Sequence, residues 1–273
     1  MQARDPFRIT DQLEPAALEV IASRLEMRGS HPRFVAALTE YLDRMDVGSR
    51  AQLLDLGCGT GIAARAIARR PAFNGTVLGI DLSSHLVQIA QRLAVEEKLA
   101  DRVNFRPGDT HSLDLPSDSF DGVVAHTLIS HVDDPAKVLG EMRRVLRPGG
   151  VAAIFDGDYA SLTLELADSA RSRRMDDAII GSLVTHPRVL RQLPRLAQQA
   201  GFAVDAVLPT IITEVGAADF WESATSAYAK LVPGAGLLTD EEMSAWSTEL
   251  MDASARGVFF GSCVYYAYIL RIA

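Results

Sequence analysis

Residues 53–61 read Leu53-Leu54-Asp55-Leu56-Gly57-Cys58-Gly59-Thr60-Gly61, a short apolar run that breaks into glycines at alternate positions. Gln52 to Leu56 reads as a buried strand, and Ile62 to Arg70 follows with helical composition until Pro71 stops it. The glycines between them have a physical task. Without Cβ atoms they allow positive φ, a sharp turn, and the approach of a ligand to bare backbone beside the amides of a helix N-terminus. A dinucleotide fingerprint wants a small residue where this chain has Ile62, which counts against a nicotinamide enzyme.

Outward from this turn, apolar runs alternate with helical stretches. Thr76 to Ile80 reads as a second strand after the Asn74-Gly75 turn, Val103 to Arg106 as a third, Phe120 to Ala125 as a fourth and Val151 to Phe155 as a fifth. Between them, Ser83 or Ser84 caps a helix carrying Leu86, Ile89, Ala90 and Leu93 on one face, and Pro135 opens another that ends at Pro148-Gly149-Gly150. Strands joined by helices at this spacing need crossovers, which place helices on both faces of one sheet. Beyond Asp158 about 40 residues of helical composition are expected, then a strand at Ala203 to Thr213, a helical stretch at Ala217 to Arg256, and a final strand in GVFFGSCVYYAYILRI. The expected class is α/β: a doubly wound, mostly parallel seven-stranded sheet with helical cap insertions near 160–200 and 216–256 in a domain spanning 49–273. Residues 1–48 are expected to form an N-terminal helical lid.

The composition narrows the function. With 273 residues, 48% hydrophobic and 23% charged, the chain has the make-up of a folded globular protein. Its net charge of -8 repels phosphate backbones and anionic membranes, so neither a nucleic acid nor a membrane is expected as partner. The apolar run Gly257 to Leu270 falls short of the roughly 20 residues of a membrane span, and the first residues carry no secretion signal, so the cytoplasm is the expected location. Cys58 and Cys263 are two thiols far apart, giving neither a disulfide framework nor a metal cluster.

The Asp-Leu-Gly-Cys-Gly-Thr-Gly run, followed by Ile80-Asp81-Leu82-Ser83, Gly108-Asp109, Ser119-Phe120-Asp121-Gly122 and Leu146-Arg147-Pro148-Gly149-Gly150, resembles the class I S-adenosylmethionine-dependent methyltransferases, specifically their small-molecule branch. The resemblance covers about residues 50–158. It implies S-adenosyl-L-methionine as cofactor, held by Asp55, Gly57, Gly59, Thr60, Gly61, Leu82, Gly108 and Thr110 around two carboxylates. Of these, Asp81 would accept the ribose hydroxyls and Asp109 the adenine amino group. A cap or turn role is the plainer reading of either Asp. Arg28, next to Gly29, would offer the cofactor carboxylate a cation or be a solvated arginine. His126, at the tip of the fourth strand, would face the pocket, while Cys58 would merely pack.

For chemistry, His131, Asp158 and Tyr159 are the candidates, with helix capping by Asp156 and Asp158 and packing of His131 as the alternatives. The aromatics Phe220, Trp221, Tyr228, Trp246, Tyr265, Tyr266 and Tyr268 would wall an acceptor pocket or fill the core. The expected activity is methyl transfer by in-line displacement to the O, N or C atom of a small, partly apolar molecule. Competing readings are a protein or tRNA acceptor, with Arg171, Arg173 and Arg174 as its basic footprint, a nucleotide-dependent oxidoreductase, and a non-catalytic cofactor-binding protein. No metal is expected, and monomer and homodimer stay open.

Overall fold

The computed structural model describes residues 5–273. Its sheet contains β1 (Gln52–Leu56), β2 (Thr76–Asp81), β3 (Val103–Pro107), β4 (Phe120–His126), β5 (Leu146–Leu164), β6 (Phe202–Gly216) and β7 (Phe259–Ile272). Their order across the seven-stranded sheet is β3-β2-β1-β4-β5-β7-β6. The first five strands pair in parallel, and β7 runs antiparallel between β5 and β6. β1 lies inside the sheet between β2 and β4, and Leu53, Leu54 and Leu56 bury both of its faces, as a parallel strand covered on two sides requires.

Helices cover both faces. α2 (Pro32–Arg44) follows α1 (Pro15–Ser30), and its Phe34, Ala37, Leu38, Tyr41 and Leu42 form one helical stripe packed into the larger core. The opposite face holds α5 (Pro135–Val145), where the Asp134 side chain accepts from the Lys137 amide at 3.0 Å and Pro135 opens the first turn. Its Val138, Leu139, Met142 and Val145 pack on Leu54 and Val123. α3 (Ile62–Ala68) and α4 (Ser84–Glu96) complete the crossovers, and of the two serines it is Ser83 that caps α4. Leu18, Ile21 and Ala22 of α1 pack on Leu86 and Ile89 of α4, which brings α1 across the strand ends. No helix among the described residues is long and apolar enough to cross a membrane.

The fifth strand departs from expectation. It begins at Leu146 and runs through Asp158 to Leu164, where helix was expected. Antiparallel pairing explains the extension: β7 continues past Asp158 and pairs Thr163 and Leu164 with Ser262 and Gly261. At the break in the ladder, the Ser161 hydroxyl accepts from the Val264 amide at 2.9 Å, replacing a backbone acceptor. The chain then forms α6 (Ser169–Leu183) and α7 (Val189–Gln199) before β6, and α8 (Phe220–Leu231) and α9 (Asp240–Ala255) before β7.

Candidate active site

The carboxyl ends of β1, β2, β3 and β4 open into a cavity of about 170 Å³ beneath α1. Gly57, Gly59 and Gly61 take φ values of 60°, 53° and 85°, the left-handed region that a side chain disfavours. At Gly61 space is closed as well, since an added Cβ would lie 2.6 Å from the Phe105 ring. The Asp81 carboxylate fixes this loop by accepting from the Gly59 amide at 2.8 Å and the Ser83 amide at 2.9 Å. Burial pushes its carboxyl above the usual range, against the bonds from Ser83 and Gly59. Asp55 Oδ2 accepts from the Ala64 amide at 3.1 Å, while its buried Oδ1 has no partner among the described residues. Burial raises Asp55 to about 7, with the Ala64 bond opposing and the Asp81 charge adding to the rise.

A second chamber of about 30 Å³ adjoins the first, and Phe7, Arg28 and His131 line both. Its inner wall includes Tyr159, Tyr228, Tyr265, Leu162, Ile179 and Leu183, drawn from β5, α6, α8 and β7. At the junction, His131 Nδ1 lies 2.8 Å from Asp5 Oδ2, which also accepts from the Thr185 amide and hydroxyl at 3.0 Å. Burial disfavours the imidazolium, but the Asp5 charge and hydrogen bond outweigh it, so the His131 pKa is raised above 6.5. His126 is the contrary case. Burial, then the Arg28 charge, lowers it to about 3, so it is a neutral ring, stacked on Phe155 with Nδ1 2.9 Å from the Tyr41 hydroxyl. Arg28 donates to Thr127 Oγ1 at 2.6 Å, and Thr127 itself takes φ 57°, a costly conformation for a β-branched residue.

Among the expected cofactor residues, Arg28, Asp55, Gly57, Gly59, Asp81 and Leu82 line the larger cavity. So do Gly108, Asp109, Thr110 and His126. Asp109 lies at the rim; slight burial raises its carboxyl, but two bonds from His111 outweigh that and hold it below the usual range. Thr60 and Gly61 do not reach the cavity: Thr60 is fully buried behind the loop, and Gly61 turns the chain into α3 against Phe105. Of the expected chemical residues, His131 stands at the junction and Tyr159 in the second chamber. Asp158 is not brought there. It is buried with both oxygens bonded to Arg191 at 2.7–2.9 Å, a partner from α7 that draws the carboxylate away from both cavities. Nor do Asp156 and Asp158 cap the following helix, since Asp168 caps α6 and Asp156 accepts from the Ser130 and Gly157 amides.

The cysteines are inert by environment, because burial first of all pushes the Cys58 thiol well up and Cys263 to about 12. Trp221 and Trp246 are core residues, and along β7 Tyr265 faces the second chamber while Tyr266 and Tyr268 pack on the other side of the sheet. Of the expected basic footprint, Arg171 and Arg174 pair with Glu249 and Glu242 of α9, while Arg173 is exposed with no ion pair among the described residues. Sequence reading missed Asp5, Phe7, Arg24 and Thr127. Asp5, Phe7 and Thr127 carry no local signature, but Arg24 and Arg28 stand four residues apart on the face of α1 that Ile21 and Leu18 bury, an anomaly visible in the sequence.

The family described as "Methyltransferase domain" matches residues 54–154, which span β1 to the start of the long β5. Over 99% of its length the chain is 35% identical to an uncharacterized 37.1 kDa protein in transposon TN4556 of Streptomyces fradiae, covering 76% of that protein. It is 40% identical to methyltransferase GfsG of Streptomyces halstedii over 44% of this chain, spanning only 42% of that relative. In three dimensions it is similar to a putative methyltransferase from Bacillus halodurans C-125, with a TM-score of 0.60, 16% identity, and coverage of 86% of this chain and 98% of that one.

Proposed function

The chain belongs to the class I S-adenosylmethionine-dependent methyltransferases, and from that membership we propose that it methylates a small molecule held in the second chamber. The observation that carries the acceptor class is the place of that chamber: it adjoins the donor cavity, shares Phe7, Arg28 and His131 with it, and is lined by residues of α1, β5, α6, α8 and β7.

The residues of the larger cavity fit the donor. The unpartnered Asp55 Oδ1 offers an acceptor to an ammonium group, and the glycine loop leaves backbone exposed where a side chain would stand. Asp81 keeps free lone pairs for ribose hydroxyls, Asp109 and Thr110 border the adenine end, and the half-exposed Leu82 supplies an apolar surface for the base. S-Adenosylmethionine supplies, when bound, a methyl group on a sulfonium that leaves as a neutral thioether.

The protein's own task is alignment and exclusion of water. Arg28 and His131 stand where the two chambers meet, so an acceptor atom there would face the donor in line. An acceptor atom that carries a proton would pass it to the unprotonated form of His131, which stands at that junction. Asp5 acts as a positioning residue, holding the imidazole and stabilising its protonated form. The neutral His126 and the Arg191-bound Asp158 take no part in proton transfer.

Titration calorimetry with S-adenosylmethionine, with NAD as control, tests the donor reading. The donor should bind, NAD should not, and Asp81→Asn should weaken binding about 10-fold to 100-fold, the worth of charged hydrogen bonds. Incubation with methyl-labelled donor and separated small-molecule, protein and tRNA fractions tests the acceptor. Label in the small-molecule fraction supports the proposal, and label confined to protein or tRNA overturns it.

A further inference from the structure

Arg24 and Arg28 are two guanidinium groups in one small space. They are 6% and 8% exposed, both line the second chamber, and neither has a carboxylate within 4 Å among the described residues. Residues 1–4 contain no Asp or Glu that could supply one. The polar contacts they do make are neutral: Arg24 Nη1 donates to Ser223 Oγ at 3.0 Å with its guanidinium 4.4 Å above the Phe220 ring, and Arg28 donates to Thr127. The nearby phenols Tyr159, Tyr228 and Tyr265 stay neutral, since burial pushes each one up. Two buried carboxylates of the site are committed elsewhere, Asp5 to His131 and Thr185 and Asp156 to the Ser130 and Gly157 amides.

A buried guanidinium without a counter-ion is costly, and two side by side repel one another. The methyl donor does not resolve this. It carries one carboxylate, which Arg28 can reach because it borders both cavities, and its sulfonium adds a further positive charge. Arg24 does not reach the donor cavity: it borders the inner chamber and, on its other side, a surface pocket with Glu19, Asp219 and Glu222, none of which comes within 4 Å of it. Building on the acceptor reading above, we infer that Arg24 binds a carboxylate of the methyl acceptor, in the inner chamber beside Tyr228 and Tyr265. The guanidinium fork matches a carboxylate in two-point geometry, which a neutral amide cannot reproduce. The acceptor is then an anion with an apolar body, anchored at Arg24 and presenting its reacting atom toward Arg28 and His131. The Leu162, Ile179 and Leu183 wall takes the apolar part.

The test titrates two pairs of probes, butyrate with butyramide and benzoate with benzamide, into protein saturated with S-adenosylhomocysteine. In at least one pair the carboxylate should bind 10-fold or more tightly than its amide. Arg24→Gln should abolish that preference while leaving S-adenosylhomocysteine affinity within 2-fold of wild type, which also certifies its fold. Arg24→Lys, retaining charge without the fork, should keep part of the preference. Equal binding or no binding of both members in both pairs overturns the anionic site, and this comparison in wild type needs no variant. A preference that survives Arg24→Gln overturns the assignment to Arg24. Failure of S-adenosylhomocysteine to bind would instead overturn the donor reading on which the inference rests.

Discussion

Replacing Asp5 by Asn removes the charge opposite His131 while keeping the side chain's size. The pair is 2.8 Å apart, with the two side chains 8% and 4% exposed, so solvent screens it little. Opposite charges near 4 Å at an effective dielectric of 20 interact by about 4 kcal/mol, equivalent to about 3 pK units. In Asp5→Asn this attraction is lost while burial and the Arg28 charge still disfavour the imidazolium. The His131 pKa should then fall from above 6.5 to below it. The sign for stability follows. A histidine raised in the folded state stabilises fully below its unfolded pKa of about 6.5, and that contribution fades as pH rises through the folded value. Wild type should therefore exceed Asp5→Asn by about 3 kcal/mol more at pH 5 than at pH 8, at 1.36 kcal/mol per unit. A pH-independent loss from the Thr185 bonds adds to both. NMR titration of the six histidine rings, assigned with His131→Gln, reads the pKa directly, and urea unfolding at the two pH values reads the energy. A His131 pKa that stays above 6.5 in Asp5→Asn, or a stability gap equal at both pH values, refutes the coupling.

Asp55, raised to about 7, should release a proton when the donor's ammonium binds, so S-adenosylhomocysteine affinity should fall about 10-fold from pH 8 to pH 6, and a flat profile by calorimetry would count against that contact. Gly61→Ala places a methyl at φ 85° and against Phe105, and should cost about 2 kcal/mol or more in urea unfolding. Arg191→Met strands the buried Asp158 charge and should destabilise by about 1–3 kcal/mol, less than a fully buried pair because Arg191 is 43% exposed. Adding Asp158→Asn should restore most of that loss, and S-adenosylhomocysteine affinity should stay at the wild-type level throughout; a loss of affinity would place Asp158 nearer the chemistry than its geometry does.

The half of the fold around β1 was legible because its information is local. A short apolar run, alternate glycines and a following helix occupy adjacent residues, and Asp81 and Asp109 sit at strand ends that the sequence marks by composition. What was not legible depends on distant partners. The extension of β5 to Leu164 rests on pairing with Gly261 and Ser262, almost 100 residues away, and overrides the helical look of the segment. Asp158 read as a free carboxylate because Arg191, 33 residues on, gives no sign of turning toward it. Asp5 and His131 are 126 residues apart, and nothing near Asp5 announces a histidine. Arg24 is different, since two arginines on an apolar helix face were there to be noticed.

The position of β7 bears on how the molecule is made. β6 has no neighbour but β7, and the free edge of β5 is covered only by β7, though both precede it in the chain. During synthesis, then, β1 to β4 and their glycine loop can assemble into a parallel sheet while two long strands wait with bare edges. The donor half is complete before the inner chamber has its Tyr265 wall. A chain stalled or cut before Phe259 would keep the glycine loop and Asp81 and expose sheet edges suited to pairing with other chains, making the interval before β7 emerges the molecule's period of greatest exposure to aggregation.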